Sequence, residues 1–254
     1  MQRYFVEPAQ FGEREVTITG EDARHIGRVM RSKPGDKLIV SDGVSREVLA
    51  EILTIEPQEV TAAIIDALAA SGEPWLKVTV AQSLPKGDKM ETVIQKCTEI
   101  GATSFLPFLS ERTVVQYDSK KEEKRLGRWK KISKEAAEQA HRSKIPAVDM
   151  PVKWDELLAA VKGYDLVCLC YEKEEGQQLR DVLKPFAEKL VPEQTYKVAV
   201  VVGPEGGFTE EEVREAELAG AVSVGLGRRI LRTETAAMAA LTCIMYESGE
   251  MGGI

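Results

Sequence analysis

The chain has 254 residues, 43% of them apolar and 30% charged, with a net charge of −7; this is the balance of an ordinary globular protein, long enough for two modest domains or one large one. No apolar run is long enough to cross a bilayer, and Met1-Gln-Arg-Tyr-Phe-Val-Glu-Pro8 lacks the apolar core of an export signal, so a cytoplasmic protein is expected. The four cysteines form no CxxC pair and the two histidines, His25 and His141, share no ligand spacing with them; reduced thiols and no metal site follow.

Residues 1–70 read as a small β-rich domain. Residues 16–19 alternate as a short strand. Residues 21–31 predict one helix with Arg24, Arg28 and Arg31 on a single face. Pro34-Gly-Asp is a turn. Residues 37–40 and 48–53 are strands joined through Ser41-Asp-Gly, and residues 59–66 form another. Several short strands with turn signals suggest a small barrel. Residues 69–74 are a plausible linker, and the second domain spans residues 74–254.

From Trp75 strands and helices alternate. Strands are predicted at 76–81, 105–109, 165–171 and 197–202. Helices are predicted at 89–100, 121–141, 154–161 and 177–190, the last kinked at Pro185. This order argues for a largely parallel sheet covered by helices.

The charge is uneven. Residues 120–144 carry ten Lys and Arg against four acids, a local excess of six, and residues 24–37 are also basic. Such faces bind phosphates or are simply solvated helix surfaces.

Two blocks carry chemistry. In the first, the apolar run 198–202 enters Gly203-Pro204-Glu205-Gly206-Gly207-Phe208, and Thr209 with Glu212 forms a T-x-x-E capping box for a helix from Glu210 to near Gly220. Glycines at a strand's carboxyl end admit a ligand close to the backbone or merely make a tight turn. In the second, the strand 222–226 leads through Gly227-Arg228-Arg229-Ile230-Leu231-Arg232 to a helix from Thr233. That helix is apolar nearly all round, so it should be buried on more than one side, in the core or at a subunit interface. Arg228, Arg229, Arg232 and Glu234 beside it need partners, and an ion-paired loop satisfies that requirement as well as a site does.

Taken together, Gly203-Pro204-Glu205-Gly206-Gly207 and Leu226-Gly-x-x-Ile230-Leu231-Arg232-x-Glu234-Thr235-Ala236 resemble the small-subunit (16S) rRNA uridine-N3 methyltransferase family of the SPOUT class. His25-Ile-Gly-Arg28-Val-Met-Arg31 resembles that family's N-terminal signature. Similar blocks are Lys86-Gly-Asp-Lys89-Met90-Glu91, Ile94-Gln95-Lys96, Glu99-Ile-Gly101, Ser110-Glu111-Arg112, Glu135-Ala-Ala-Glu138-Gln139, Arg142 and Ile145-Pro146. The resemblance covers nearly the whole chain.

The resemblance implies an N-terminal PUA-like barrel, a C-terminal α/β domain with a deep trefoil knot, and a homodimer. It implies S-adenosylmethionine (SAM) held by Leu169, Cys170, Tyr171, Val202, Gly203, Pro204, Glu205, Gly206, Gly207, Leu226, Gly227, Ile230, Leu231, Arg232, Thr235 and Ala236. The acceptor would be N3 of a small-subunit rRNA uridine, in naked RNA or in an assembled 30S particle. N3 lies on the Watson–Crick edge, so that base must be unpaired or extruded. Its imide proton calls for a base or for stabilisation of the developing anion. Arg232 is the candidate stabiliser and Glu205 or Glu234 the candidate proton acceptor. Either carboxylate serves equally well as a cap or salt bridge. RNA is expected to meet Arg3, Arg24, His25, Arg28, Arg31, Lys86, Lys89, Arg112, Lys130, Lys131 and Arg142. The competing readings are a non-catalytic rRNA-binding or ribosome-assembly protein of the same fold, and an unrelated α/β enzyme with a nucleotide cofactor.

Overall fold

The computed structural model describes residues 1–69, 72–115, 119–191 and 194–251. Of the expected linker 69–74, residues 70 and 71 lie outside that set. The chain divides into two compact units, Met1–Glu73 with Ala137–Ile145, and Pro74–Ala136 with Pro146–Ile254.

The first unit contains strands β1 (Arg3–Phe5), β2 (Glu15–Thr19), β3 (Lys37–Ser41), β4 (Glu47–Ile55) and β5 (Glu59–Ala67). They form one sheet ordered β1-β3-β4-β5-β2. Alternate residues feed a single core: Val16 and Ile18, Leu38 and Val40, Val48, Ala50 and Ile52, Val60 and Ala62, as the two-residue period of a strand requires. The β3–β4 hairpin closes on Asp42, whose carboxylate accepts the amides of Val44, Ser45 and Arg46 at 2.8, 2.8 and 2.9 Å. Burial opposes the charge, but the amide donors prevail and hold the Asp42 pKa below its ordinary value. Strand β1 pairs parallel with β3; three residues are too few to show an alternation.

The helix expected over 21–31 is two pieces. Helix α1 (Gly20–Arg24) runs into a π-helical turn, His25–Val29. Arg31 lies beyond both, with φ 53°, so it does not share a helix face with Arg24 and Arg28. The wider π winding ends the 3.6-residue phase on which that expectation rested.

Arg3 and Arg142, expected to meet RNA, are interior. Arg3 is 5% exposed, ion-paired with Glu47 and bonded to the Arg142 carbonyl at 3.0 Å. Arg142 is 3% exposed, with Nη2 and Nε 2.9 and 3.3 Å from the Glu73 carboxylate. A guanidinium enclosed this way has its charge answered inside the protein and cannot reach a phosphate. The same contacts fasten residues 137–145 to the first unit, with the Phe5 amide donating to Glu138 at 3.1 Å and Ser41 to the Ser143 carbonyl at 3.2 Å.

The second unit comprises β6 (Lys77–Ser83), α2 (Lys89–Ile100), β7 (Ser104–Leu109), α3 (Ser119–Gln139, whose last three residues belong to the first unit), β8 (Ala147–Val148), β9 (Val152–Lys153), α4 (Trp154–Val161), β10 (Leu166–Cys170), α5 (Leu179–Ala187), β11 (Lys197–Val202), α6 (Glu210–Leu218), β12 (Val222–Val224) and α7 (Thr233–Glu247). The sheet runs β12-β10-β11-β6-β7-β8, with β9 also on β7, and every pairing is parallel. Val198, Val200 and Val202 face the core under α2, α5 and α7. Ala199 and Val201 face the core under α4 and α6. Burial on both faces explains why β11 reads as a continuous apolar run.

The expected capping box is present: the Glu212 amide donates to Thr209 Oγ1 at 3.2 Å and the Thr209 amide to Glu212 Oε2 at 2.9 Å. Pro185 sits near the end of α5, which stops two residues later. Helix α7 buries Ala237, Ala240, Leu241, Ile244 and Met245, while Thr235, Cys243 and Tyr246 are exposed. Within the chain, its burial is therefore one-sided.

Candidate active site

Three strands end together. Cys170 is in register with Val202 on one side and Val224 on the other, so the loops that follow β10, β11 and β12 leave the sheet at the same carboxyl edge. Parallel α/β sheets bind ligands at such an edge. Here the loops and the start of α7 enclose a cleft of about 320 Å³, at the lower end of the range for small-molecule sites.

Of the residues expected to hold cofactor, Cys170, Tyr171, Val202, Gly203, Pro204, Glu205, Gly207, Leu226, Gly227, Ile230, Leu231, Arg232 and Ala236 line this cleft. Leu169, Gly206 and Thr235 do not. Leu169 alternates with Cys170 and points into the α4–α6 core. A Cβ on Gly206 would lie 3.2 Å from Cβ of Arg112, so its neighbour is that side chain. Thr235 falls on the exposed side of α7, about 100° round the helix from Ala236. Sequence reasoning missed Glu172, Glu174, Phe208, Gly225 and Thr233 as wall residues, and it placed Lys89 with the RNA contacts although Lys89 lines the cleft.

Thr233 ties the floor together. Its hydroxyl donates to the Gly203 carbonyl at 2.6 Å and accepts from Gln82 Nε2 at 2.8 Å. Gln82 is fully buried and also donates to the Ser83 carbonyl at 3.0 Å. One buried network thus joins β6, the loop after β11 and the first turn of α7, with every side-chain bond of Gln82 made through its Nε2 and its buried Oε1 left without a partner.

A second tie closes the other side. The Gly225 amide donates to the Gln177 carbonyl at 2.8 Å, and the Gly225 carbonyl accepts the Leu179 amide at 3.0 Å. A Cβ at Gly225 would fall 2.7 Å from the Glu174 carbonyl oxygen and 2.8 Å from Gln178 Nε2. The segment after β10 therefore lies directly across the segment after β12, and only glycine permits that approach.

The charges are organised around Lys89. Its ammonium bonds Glu205 at 2.8 Å and stands 3.7 Å from Glu234. The Glu205 hydrogen bond is the main reason its pKa is raised, against partial burial and the Arg232 charge. For Glu205, burial pulls the pKa up, but the Lys89 bond and the amides of Glu205 and Lys86 outweigh it and leave the carboxyl below its ordinary range. The lowered pKa and the bond to Lys89 make Glu205 a weaker proton acceptor than an ordinary carboxylate. Glu234 lies behind Lys89, outside the cleft lining, and its buried Oε2 has no hydrogen-bond partner. Arg228, Arg229 and Arg232 line the cleft from its solvent side and are exposed. They carry none of the burial that the apolar helix beside them implied, and no Arg232–Glu234 pair forms among the described residues.

The other residues expected to meet RNA are scattered. Arg24, His25, Arg28 and Arg31 are exposed. His25 Nδ1 lies 3.0 Å from the Tyr4 hydroxyl, whose pKa is pushed up to about 12 by burial and then by the Asp22 and Glu138 charges. Lys86 is exposed and gives its amide to Glu205 at 3.1 Å. Arg112 donates to the Gly206 and Phe208 carbonyls at 2.8 and 3.3 Å, so it braces the loop after β11. Lys130 and Lys131 are exposed on α3. Among the described residues, no helix is long and apolar enough to cross a membrane.

Residues 72–245 match the RNA methyltransferase domain and residues 18–65 the RNA methyltransferase PUA domain. Ribosomal RNA small subunit methyltransferase E of Bacillus subtilis is 38% identical, over 100% of this chain and 99% of that one. The crystal structure of the protein of that name from Neisseria gonorrhoeae, bound to S-adenosylmethionine, superposes with a TM-score of 0.83 at 31% identity, covering 97% of each chain. A Legionella pneumophila methyltransferase in complex with the cofactor SAM also gives 0.83, at 32% identity and 96% of each chain.

Proposed function

The chain belongs to the RNA methyltransferase family that includes ribosomal RNA small subunit methyltransferase E, and we propose that it transfers a methyl group from SAM to N3 of a uridine in small-subunit rRNA, giving 3-methyluridine. The observation that carries this reading is the cleft at the common edge of β10, β11 and β12, in a fold whose solved relatives bind SAM. Its chemistry suits that cofactor. Leu226, Ile230, Leu231 and Ala236 offer apolar wall to an adenine. Glu172, Glu174 and Glu205 offer negative charge to a ligand that carries a sulfonium and an ammonium. The cofactor supplies an activated methyl group.

The chain's own residues have three tasks. The Gln82–Thr233–Gly203 network and the Gly225 crossing hold the walls in place, so binding energy goes into orientation. Arg232, exposed at the cleft mouth, stabilises the negative charge that develops on the uracil oxygens as N3 loses its proton. Lys89 is held protonated by Glu205. Between the two candidate acceptors, Glu205 is assigned to anchoring Lys89, and Glu234, whose Oε2 has no hydrogen bond and only the longer 3.7 Å ion pair with Lys89, is left as the proton acceptor.

Residues 1–70 are assigned to RNA binding and 74–254 to methyl transfer, with the loops around the cleft threaded as the trefoil knot of the SPOUT class. The protein is proposed to work in the cytoplasm as a homodimer on rRNA or the assembled 30S particle, the exposed side of α7 at Thr235, Cys243 and Tyr246 forming the dimer contact.

The test is calorimetry with SAM followed by nucleoside mass analysis of small-subunit rRNA incubated with protein and cofactor. Saturable SAM binding and new 3-methyluridine are expected. SAM binding without methylation of either naked rRNA or 30S particles would move the protein to the non-catalytic reading. ATP or NAD binding in place of SAM would sink both.

A further inference from the structure

The solvent face of α3 carries a residue that the protein's own packing does not require. Gly127 stands within this 21-residue helix, where glycine is less favourable than alanine because it surrenders more backbone freedom. A Cβ there would meet nothing within 4 Å, and the position has no left-handed φ. Neither a close protein neighbour nor backbone geometry calls for glycine.

What surrounds Gly127 is cationic. Lys120, Lys124, Lys130, Lys131 and Lys134 lie seven, three, three, four and seven positions away, which puts each within about 60° of it around the helix. Between Lys120 and Lys134, Glu123 is the one acid in that arc. The opposite side of the helix is the buried one, with Trp129, Ser133 and Ala136 at 1%, 0% and 4% exposure. Lys120, Lys124 and Lys130 are exposed and make no hydrogen bond or ion pair with a described residue. The lysine row is about 20 Å long and has a bare patch of backbone at its centre. It contains no aromatic side chain, so it offers no platform on which an unpaired base could stack.

We propose that the sugar–phosphate backbone of the RNA substrate crosses α3 at Gly127. The absent side chain lets the strand lie against the helix, and the lysines on either side neutralise its phosphates. The contact is independent of base sequence and serves to orient the RNA. This rests on the RNA methyltransferase reading and adds where and how the substrate is gripped.

The glycine makes an unusual test possible, because the same substitution has opposite effects on stability and on binding. Gly127→Ala should raise Tm by about 1–4 °C, since alanine favours the helix and its Cβ has free space. It should leave SAM affinity unchanged and weaken binding of purified small-subunit rRNA about two- to tenfold, the scale of one displaced polar contact. Lys124→Gln with Lys130→Gln should make the slope of log K against log salt shallower by about 1–2. A Gly127→Ala protein that melts higher and binds rRNA like the parent overturns the proposal, as does an unchanged salt slope in the lysine pair. A parent that neither binds nor methylates rRNA sinks the methyltransferase reading as well. A parent that methylates alongside unaffected variants sinks only the crossing at Gly127.

Discussion

Arg142 and Arg232 are the same side chain put to opposite uses. Arg142 is enclosed in the first unit and grips Glu73 with two nitrogens. Arg232 stands in the open at the cleft mouth, with no ion-pair partner among the described residues. A buried charge whose partner is built in serves the fold. An exposed charge at the edge of a ligand site is free to act on what binds there. The sign and type of a residue therefore say little about its work until its surroundings are known.

The largest effect separating the two is on stability. Arg142→Ala leaves the half-buried Glu73 carboxylate without its counter-charge, with only the Ser143 and Lys144 amides, among the described residues, on it, and the cost is up to about 3–5 kcal/mol. Urea denaturation should show the loss in the first unit, while SAM affinity stays at the parental value. A variant as stable as the parent would mean that Glu73 finds another donor.

Arg232→Ala should behave in the reverse way. Tm and SAM affinity hold, and the single-turnover rate on small-subunit rRNA falls about a hundredfold or more, the scale of one lost electrostatic stabiliser. Lys at this position keeps the charge but not the planar fork, so partial rescue is expected. If stability and SAM binding fall together with rate, Arg232 shapes the loop and the contrast with Arg142 disappears.

The smallest effect is expected at Glu205, where function and structure meet. Glu205→Gln removes the anchor of Lys89 but no proton acceptor, so the transfer rate should drop less than about tenfold; loss of a general base costs about a hundredfold or more. Its lowered pKa also sets a sign. The contribution of the Lys89–Glu205 pair is present above the unfolded carboxyl value of about 4.3 and fades as pH falls through the lower folded value. Parent and variant should differ in Tm at neutral pH and converge in acid.

The elements that could be read in the sequence are those whose determinants are local. Period-two alternation marks β2, strand-forming runs about the Ser41-Asp-Gly turn mark β3 and β4, an apolar run marks β11, and Thr209 with Glu212 marks the start of α6. What could not be read depends on partners far away along the chain. Glu47 is 44 residues from Arg3 and Glu73 is 69 from Arg142, so two interior arginines looked like surface cations. Gly206 read as a ligand approach because glycine loops have that use, but its constraint is Arg112, 94 residues earlier. Lys89 read as an RNA contact through the family resemblance of its block; only the fold brings it to Glu205. Gly225 offered no signal at all, since a single glycine after a strand does not announce which segment crosses it.

That crossing has a consequence for how the protein is made. The bridge from Gln178 to Gly225 joins residues 47 apart and the Gln82–Thr233 bond joins residues 151 apart. Closing such long loops precedes any reward from the contacts they allow, which makes assembly slow. A nascent chain still lacking β12 and α7 has most of the sheet but neither the floor nor the far wall of the cleft. On the ribosome, the cofactor site is therefore among the last features to form, and a chain released early would be folded in large part yet unable to take up a methyl donor.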